Sequence, residues 1–578
     1  MGISYLISEF ASKLAPTLKA GGGSANRVRG VMTGTGGLLR LIQIVLLGMS
    51  IATASPATAS PPDVTTATIE DLSRAMAERK VTSEQLVRAY LARIEAFDDR
   101  GPAINAVIAL NPAALATARA LDRERRAKGA HGPLHGIPVV VKDNIDVAGL
   151  PTTVGSQLLE GNIAAQDAWV VRRLRDAGAV IVAKVNLSEF AAAGGTVLGA
   201  PDHLVKLGTV PNGFSSAGGQ TRNPHDPERS PHNSSGGTGA AIAAAFAQVG
   251  LGTDTGGSIR GPASWNGIVG LKPTMGLVGR SGIAPLALSL DAVGPMARSV
   301  YDVAVTLGAL AGVDPADPST QASAGLADTD YTQHLKRGAL RGTRIGVARD
   351  FSGVDAGTDL VFEATVTRLR ELGAEVVDPI RLPRYALEGR RGLYIELVAT
   401  EFKAQITDWL KATGPGYPKS FDDLVSRAND PATSYRSPEK AVGLKYSQSI
   451  ALDPADPLYR AMAGAGLDAI RAAVDAAFEQ YRVDAIVYPT QSRPAMRIDD
   501  LSPSPSSPTS LASLSGYPDL AVPAGMTPDG LPVTVSFLGR PFSEGALLGY
   551  GYDFEQATRA IRLPKHTPPL QDARTGGR

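Results

Sequence analysis

Ser230-Pro231-His232-Asn233-Ser234-Ser235-Gly236-Gly237-Thr238-Gly239 is followed by the run 240–247, then by Gly252-Thr253-Asp254-Thr255-Gly256-Gly257-Ser258-Ile259-Arg260. Two serine clusters embedded in glycine thus flank one short segment made only of Ala, Ile and Phe. An uncharged stretch of that kind reads as a helix buried at a domain centre. Upstream, Val139-Val140-Val141-Lys142-Asp143-Asn144 sets a lysine at the end of an apolar strand. A lysine and two serines held by glycine loops are the parts for acyl transfer without histidine.

Each part also has a plainer reading. Thr255-Gly256-Gly257-Ser258 alone is a glycine turn. Its successive N–H groups, from Thr255, Gly256, Gly257 and Ser258, can converge into a nest that holds an oxyanion. Ser234-Ser235 before Gly236-Gly237 alone is a flexible turn or a helix cap. No Gly-x-x-x-x-Gly-Lys-[Ser/Thr] occurs, so a phosphate loop lacks its lysine. Lys142 alone is a lysine that snorkels or pairs with a carboxylate. Buried, its pKa falls and the neutral amine becomes a competent base. No Gly-x-Ser-x-Gly elbow supports a Ser-His-Asp hydrolase. The three signals gain force from their order and context.

Bulk composition narrows the class. Lys plus Arg, 57, nearly cancels Asp plus Glu, 56, which leaves no basic excess for nucleic acid. There are no cysteines, which excludes disulfides, thiol nucleophiles and thiolate-held metals. The histidines are scattered without metal-binding spacing, so neither a metal nor another cofactor is expected. A hydrophobic content of 43% over 578 residues is enough for a large core.

The first 62 residues read as a leader. Residues 38–54 form an apolar run interrupted by Arg40 and Gln43; Arg27 and Arg29 come before it, Ala52-Thr53-Ala54 ends it and Ala57-Thr58-Ala59 follows. Such small-x-small triplets suit signal peptidase, and the run is short of the roughly 20 residues a membrane span needs. Initiation at Met32 gives ordinary signal-peptide proportions. The expectation is export, periplasmic or secreted. The alternative is an uncleaved anchor or tail on a cytoplasmic protein, with membrane contact only through that leader.

Farther along, Thr82 and Gln85 have the form of a capping box before Leu86, Ala89, Tyr90 and Ile94 at helical spacing. Helices are expected at 112–128, 168–176, 240–247, 300–311 and 360–372. Strands are expected at 136–141, 180–183, 344–348, 375–377, 485–488, 522–525 and 533–538. Residues 194–220 read as an ordered, glycine-rich functional loop, 314–330 as a linker and 502–508 as a Ser/Pro loop. Residues 383–456 read as helical, without a share in the sheet. The class is α/β, with a mixed, mostly parallel β-sheet core covered by helices on both faces.

With these motifs in place, the chain resembles the amidase signature family. The likeness rests on Leu134-His135-Gly136-Ile137-Pro138 through Asn144, and on Ser234-Ser235-Gly236-Gly237 and Gly252 to Arg260. Gly267-Ile268-Val269-Gly270-Leu271-Lys272-Pro273-Thr274 and Gly294-Pro295-Met296-Ala297-Arg298 extend it, and it runs from about 68 to 558. The resemblance implies one amidase domain over 63–578, with a helical, substrate-shaping insertion around 380–455. It implies a Ser–Ser–Lys triad with Ser258 as nucleophile, Ser234 as bridge (with a cis peptide bond) and Lys142 as base. It also implies a substrate that is a small-molecule or peptide amide. An Asp254–Arg260 pair beneath the loop is a structural expectation.

His232, Asn233 and Thr238 depart from the small residues, or serine, usual in the family at those places. Phe214-Ser215-Ser216-Ala217-Gly218-Gly219-Gln220-Thr221-Arg222-Asn223-Pro224 looks most like bacterial peptide amidases, which release ammonia from C-terminal peptide amides. The alternatives are an aryl or acyl amidase, an esterase on the same triad, or a catalytically silent secreted binding protein. A transamidosome amidotransferase component fits an exported chain less well.

Overall fold

A computed structural model describes residues 62–192, 207–501 and 508–570. The expected leader, apart from Pro62, lies outside the described residues, as do the first part of the loop expected at 194–220 and residues 502–507. The described residues belong to one compact unit.

Thirteen strands are present among them: β1 (Val107–Leu110), β2 (Pro138–Lys142), β3 (Val180–Val185), β4 (Phe214–Ser215), β5 (Gly219–Gln220), β6 (Val249–Asp254), β7 (Val269–Lys272), β8 (Ala292–Ala297), β9 (Arg344–Ala348), β10 (Glu375–Ile380), β11 (Ala485–Pro489), β12 (Asp519–Met526) and β13 (Pro532–Leu538). Eleven form one sheet in the order β1-β3-β2-β6-β8-β7-β12-β13-β11-β9-β10, and β4 pairs with β5 in a small hairpin. The sheet is mixed, as expected. Its parallel pairings are β3-β2-β6 on one flank and β11-β9-β10 on the other. From β6 through β8, β7, β12 and β13 to β11 the pairing is antiparallel. The parallel share is smaller than helix–strand alternation suggests, because β12 and β13 are joined directly by a tight turn. In that turn Gly530 N–H donates to Thr527 O at 2.8 Å.

The interior position of β2 explains its unbroken apolar run, since both of its faces are covered. Val139 and Val141 enter a core with Val170, Val171 and Leu174 of the helix Trp169–Asp176 and Val300 and Val303 of the helix Val300–Leu310. Val140 points to the opposite core, against Ala240, Ala243 and Phe246. The helix Ser83–Phe97 carries the full capping box, with Thr82 accepting from Gln85 N and Gln85 reaching back. A cap of this kind contributes about 1 kcal/mol.

The buried helix does not run over 240–247. It spans Gly236–Ala243, and Ala245 has a φ of 54°, which closes the turn after it. Propensity places Gly236 to Gly239 in a loop. Packing requires them inside a helix, because neighbouring chain comes too close for side chains. A Cβ on Gly237 would lie 2.2 Å from the Asn186 carbonyl oxygen. Gly237→Ala is therefore expected to cost about 1–3 kcal/mol by overpacking. Thermal unfolding checks this, and a variant as stable as the parent would sink the argument.

The region 383–456 is helical, as expected, with the helices Arg384–Glu388, Arg390–Leu410, Phe421–Asn429 and Pro438–Ile450. Phe402, Ile406, Leu410, Phe421 and Leu424 of these helices pack on Leu187, Phe190, Ala284 and Leu286. That contact sets the helices beside the segments that carry the candidate site. Among the described residues, no helix is long and apolar enough to cross a membrane.

Candidate active site

Lys142 ends β2 on the face of Val140, because side chains alternate along a strand. Its Nζ donates to Ser234 Oγ at 2.8 Å and to Thr253 Oγ1 at 2.7 Å. Lys142 and Ser234 are 0% exposed, whereas Ser258 is 8% exposed, so Ser258 is the one of the three that solvent touches. Burial lowers the Lys142 pKa to about 7, and the charges of Asp254 and Asp291 offset only part of that effect. The amine is thus largely neutral at slightly alkaline pH.

The paired serines are held by the end of β3 and by the second serine loop. Ser188 N–H donates to Ser234 O at 2.9 Å, and Gly237 N–H to Asn186 O at 3.1 Å. Ser235 N–H donates to Ser258 O at 3.2 Å, and Ser235 Oγ to Thr253 O at 3.1 Å. These bonds bring the two serine clusters and Lys142 into one place. The Asn233–Ser234 peptide bond is cis.

The three departures take structural positions around this loop. His232 stands half-buried, edge-on against Trp265, with ring centroids 4.3 Å apart. Burial lowers its pKa to about 4, so it is neutral, and its Nδ1 lies 2.9 Å from Asn233 O. Asn233 Nδ2 donates to Asn212 Oδ1 at 2.6 Å. Thr238 Oγ1 donates to Leu251 O at 3.3 Å, tying the buried helix to β6.

Asp254 builds the second loop. Its carboxylate accepts from Gly257 N–H at 2.7 Å and Ile259 N–H at 3.0 Å. It also accepts from Arg260 Nε at 3.1 Å and Nη2 at 2.9 Å, so the expected pair is present. The pair extends farther, because Arg260 Nη1 donates to Asp519 Oδ2 at 2.6 Å and Tyr488 Oη donates to the same oxygen at 2.6 Å. Burial alone would raise the Asp254 pKa. The Arg260 charge and the hydrogen bonds outweigh it and hold the carboxyl far below the usual carboxylate range.

One expectation is corrected here. Gly257 N–H is already given to Asp254, so it is not an open donor in the nest. Among the described residues, the N–H groups of Gly256 and Ser258 show no hydrogen-bond partner of their own. The Thr255 N–H likewise shows none, while the Thr255 side chain donates to Asp291 Oδ1. Burial raises the Asp291 pKa to about 6.

Sequence reasoning assigned nothing to Thr253, Thr509 or Tyr394. Thr253 lies inside a quoted motif, and its hydroxyl and carbonyl both meet Lys142. Thr509 Oγ1 donates to Gly256 O at 3.0 Å. The Tyr394 ring, from the helix Arg390–Leu410, lies where a Gly256 Cβ would come within 2.8 Å of it. A small cavity nearby is lined by Asn144, Thr253, Thr255, Arg280 and Asp291, among others, but not by Ser258. It is therefore not where a scissile carbonyl meets that serine. Among the described residues, no group of three or more His, Asp or Glu side chains is placed to hold a metal ion.

This arrangement can be compared with known proteins. The Amidase family model matches residues 85–548. The solved peptide amidase from Stenotrophomonas maltophilia is 40% identical, with a TM-score of 0.79, covering 87% of this chain and 99% of its own. A probable amidase of Arabidopsis thaliana is 34% identical, covering 91% of this chain and 97% of its own length. A glutamyl-tRNA(Gln) amidotransferase subunit of Caldanaerobacter subterraneus is also 34% identical, covering 86% and 98%. By family match, by fold and by these relatives, the chain belongs to the amidase family and is an amide hydrolase.

Proposed function

We propose that the protein releases ammonia from the C-terminal carboxamides of peptides, using Ser258 as nucleophile, Ser234 as proton bridge and Lys142 as base. The observation that carries the Lys142–Ser234 part of this reading is the buried Lys142 amine, its pKa lowered to about 7, at 2.8 Å from Ser234 Oγ, and Ser258 joins them through its carbonyl, which accepts from Ser235 N–H at 3.2 Å. The substrate class rests on the 40% identity to a peptide amidase over nearly its whole length. The helices of 380–455, which bring Tyr394 against Gly256, are the part proposed to shape the substrate pocket.

Neutral Lys142 takes the Ser234 hydroxyl proton while Ser234 Oγ takes the proton of Ser258. Ser258 Oγ bonds to the amide carbon, and the carbonyl becomes an oxyanion. The N–H groups of Thr255, Gly256 and Ser258 hold that charge, which is worth more in a water-poor site than in solvent. Lys142 returns its proton through Ser234 to the amide nitrogen, the C–N bond breaks, and ammonia leaves. Water then attacks the acyl-enzyme, giving a proton to the same relay; the bond between the acyl carbon and Ser258 Oγ breaks, the relay returns that proton to Ser258 Oγ, and the free carboxylic acid departs. Export through the residues 1–62 belongs to this proposal, and the N-terminal sequence of the mature protein tests it.

The function is tested by ammonia release from a panel holding amidated peptides, fatty-acyl amides, aryl amides and a matched ester. Amidated peptides are expected to turn over fastest, and a fluorophosphonate is expected to label Ser258. Turnover confined to aryl or acyl amides would overturn the substrate class. Preference for the ester would favour the esterase alternative, and labelling at another residue would overturn the nucleophile.

A further inference from the structure

The peptide group between Gly256 and Gly257 is gripped at both poles by side chains from distant parts of the chain. Its carbonyl oxygen accepts from Thr509 Oγ1 at 3.0 Å, and its N–H donates to Asp254 Oδ1 at 2.7 Å. Gly257 has a φ of 126°, in a region that side-chain-bearing residues rarely adopt. Two successive glycines are otherwise free to swing between several backbone states. With both poles tied, the peptide plane cannot rotate without breaking a buried hydrogen bond. The N–H groups of Gly256 and Ser258 lie on the peptide units to either side, so a rotation of that plane would redirect them.

The space around the clamp is filled. Thr509 is fully buried, and a Cβ on Gly257 would fall 2.1 Å from its Oγ1. Thr509 precedes the short helix Ser510–Ser515, and Ser513, one turn on, shares its face. Ser513 Oγ lies 3.3 Å from Asp254 Oδ1 and accepts from Arg260 Nη2 at 2.8 Å. One helix therefore supports both jaws, Thr509 directly and Asp254 through Ser513. The insertion helix joins in, since Arg390 Nε donates to Ser510 Oγ at 2.8 Å.

We propose that Thr509 is a positioning residue for amide hydrolysis: with Asp254 it clamps the Gly256–Gly257 peptide so that the Gly256 and Ser258 N–H groups converge on the oxyanion. This rests on the reading of Ser258 as the nucleophile. The clamp acts on the transition state, because the ground-state carbonyl is flatter and carries less charge.

Thr509→Val keeps shape and loses the hydroxyl, whereas Thr509→Ser keeps the hydroxyl. The valine variant is expected to lose roughly 10- to 100-fold in kcat, less than the 10²–10³ that follows outright removal of one oxyanion donor. Its KM is expected to stay within about threefold, the mark of an interaction made only in the transition state. Affinity for a peptide aldehyde, which forms a tetrahedral adduct, should fall by the same factor as kcat. Thr509→Ser should retain both within about threefold. Should the valine variant fail to fold, Thr509→Ala against Thr509→Ser poses the same question.

Unchanged kcat in the valine variant would overturn the clamp. So would a serine variant as poor as valine, or a KM weakened as much as the aldehyde affinity, since either result reports shape alone. Fluorophosphonate labelling of the parent protein separates the two layers. Labelling away from Ser258 defeats the nucleophile reading. Labelling at Ser258 beside a fully active Thr509→Val defeats only the clamp.

Discussion

Lys142→Met is expected to lower kcat on amides by roughly 10³- to 10⁴-fold, the upper range of what a positioned general base supplies. Methionine follows the unbranched lysine stem, one heavy atom shorter, and fills most of the buried volume without an amine. Ser234 Oγ and Thr253 Oγ1 each lose a partner, at about 1–3 kcal/mol for a buried polar group left unpaired. Removing a buried amine offsets part of that, so the variant should fold. The parent enzyme carries the matching pH signature. Its kcat/KM should rise with pH through about 7, where Lys142 loses its proton, and level off above.

The stability sign follows from the same shift. The folded pKa of about 7 lies below the 10.5 of a free lysine, so between those values the folded state binds fewer protons. The penalty of burying the amine is full below pH 7 and fades as pH climbs toward 10.5. The difference in thermal midpoint between Lys142→Met and parent should therefore shift in favour of the parent as pH rises. A variant with near-parental kcat, or a parent profile flat from pH 5 to 9, would remove Lys142 from the base role.

Asp254→Ala is expected to destabilise the protein by about 3–5 kcal/mol, the cost of breaking a buried ion pair from one side. The carboxylate serves Gly257 N–H, Ile259 N–H and two Arg260 nitrogens, all inside the core. Its loss leaves Arg260 with Asp519 as its remaining carboxylate and frees the Gly256–Gly257 peptide at one pole. Stability and rate should fall together, as urea unfolding and ammonia release will read. A loss of rate at parental stability would show that the pair is not structural. Because the Asp254 pKa is held far below the ordinary value, its contribution is present above the usual carboxylate range. It is lost only as pH falls through the depressed folded value.

Much of this site is legible in the sequence, for a local reason. Lys142, Ser234, Ser258 and the Asp254–Arg260 pair all sit in short motifs, where glycine spacing and apolar context mark them out. The chain-distant parts are not legible. Thr509 and Asp519 reach the loop from 253 and 259 residues away, and nothing in their neighbourhoods announces a partner. The Gly257 N–H reads as an open donor because a glycine turn does not reveal which carboxylate will fold back onto it. The fold divides in the same way. The strands β2, β3, β9, β10 and β11 and the capped helix Ser83–Phe97 follow from local pattern, whereas the edge strand β1 is not among those expected. The glycine-led helix Gly236–Ala243 and the antiparallel centre depend on contacts that only the folded chain makes.

The order of synthesis gives the Asp254–Arg260–Asp519 network a further meaning. Lys142, Ser234 and Ser258 all emerge from the ribosome before β12, and Arg260 meets its second carboxylate only when that strand arrives. The β12 strand is also what bridges β7 to β13, so the centre of the sheet stays open until then. A chain cut short before β12 thus holds all three of the residues proposed to react and lacks the frame proposed to aim them.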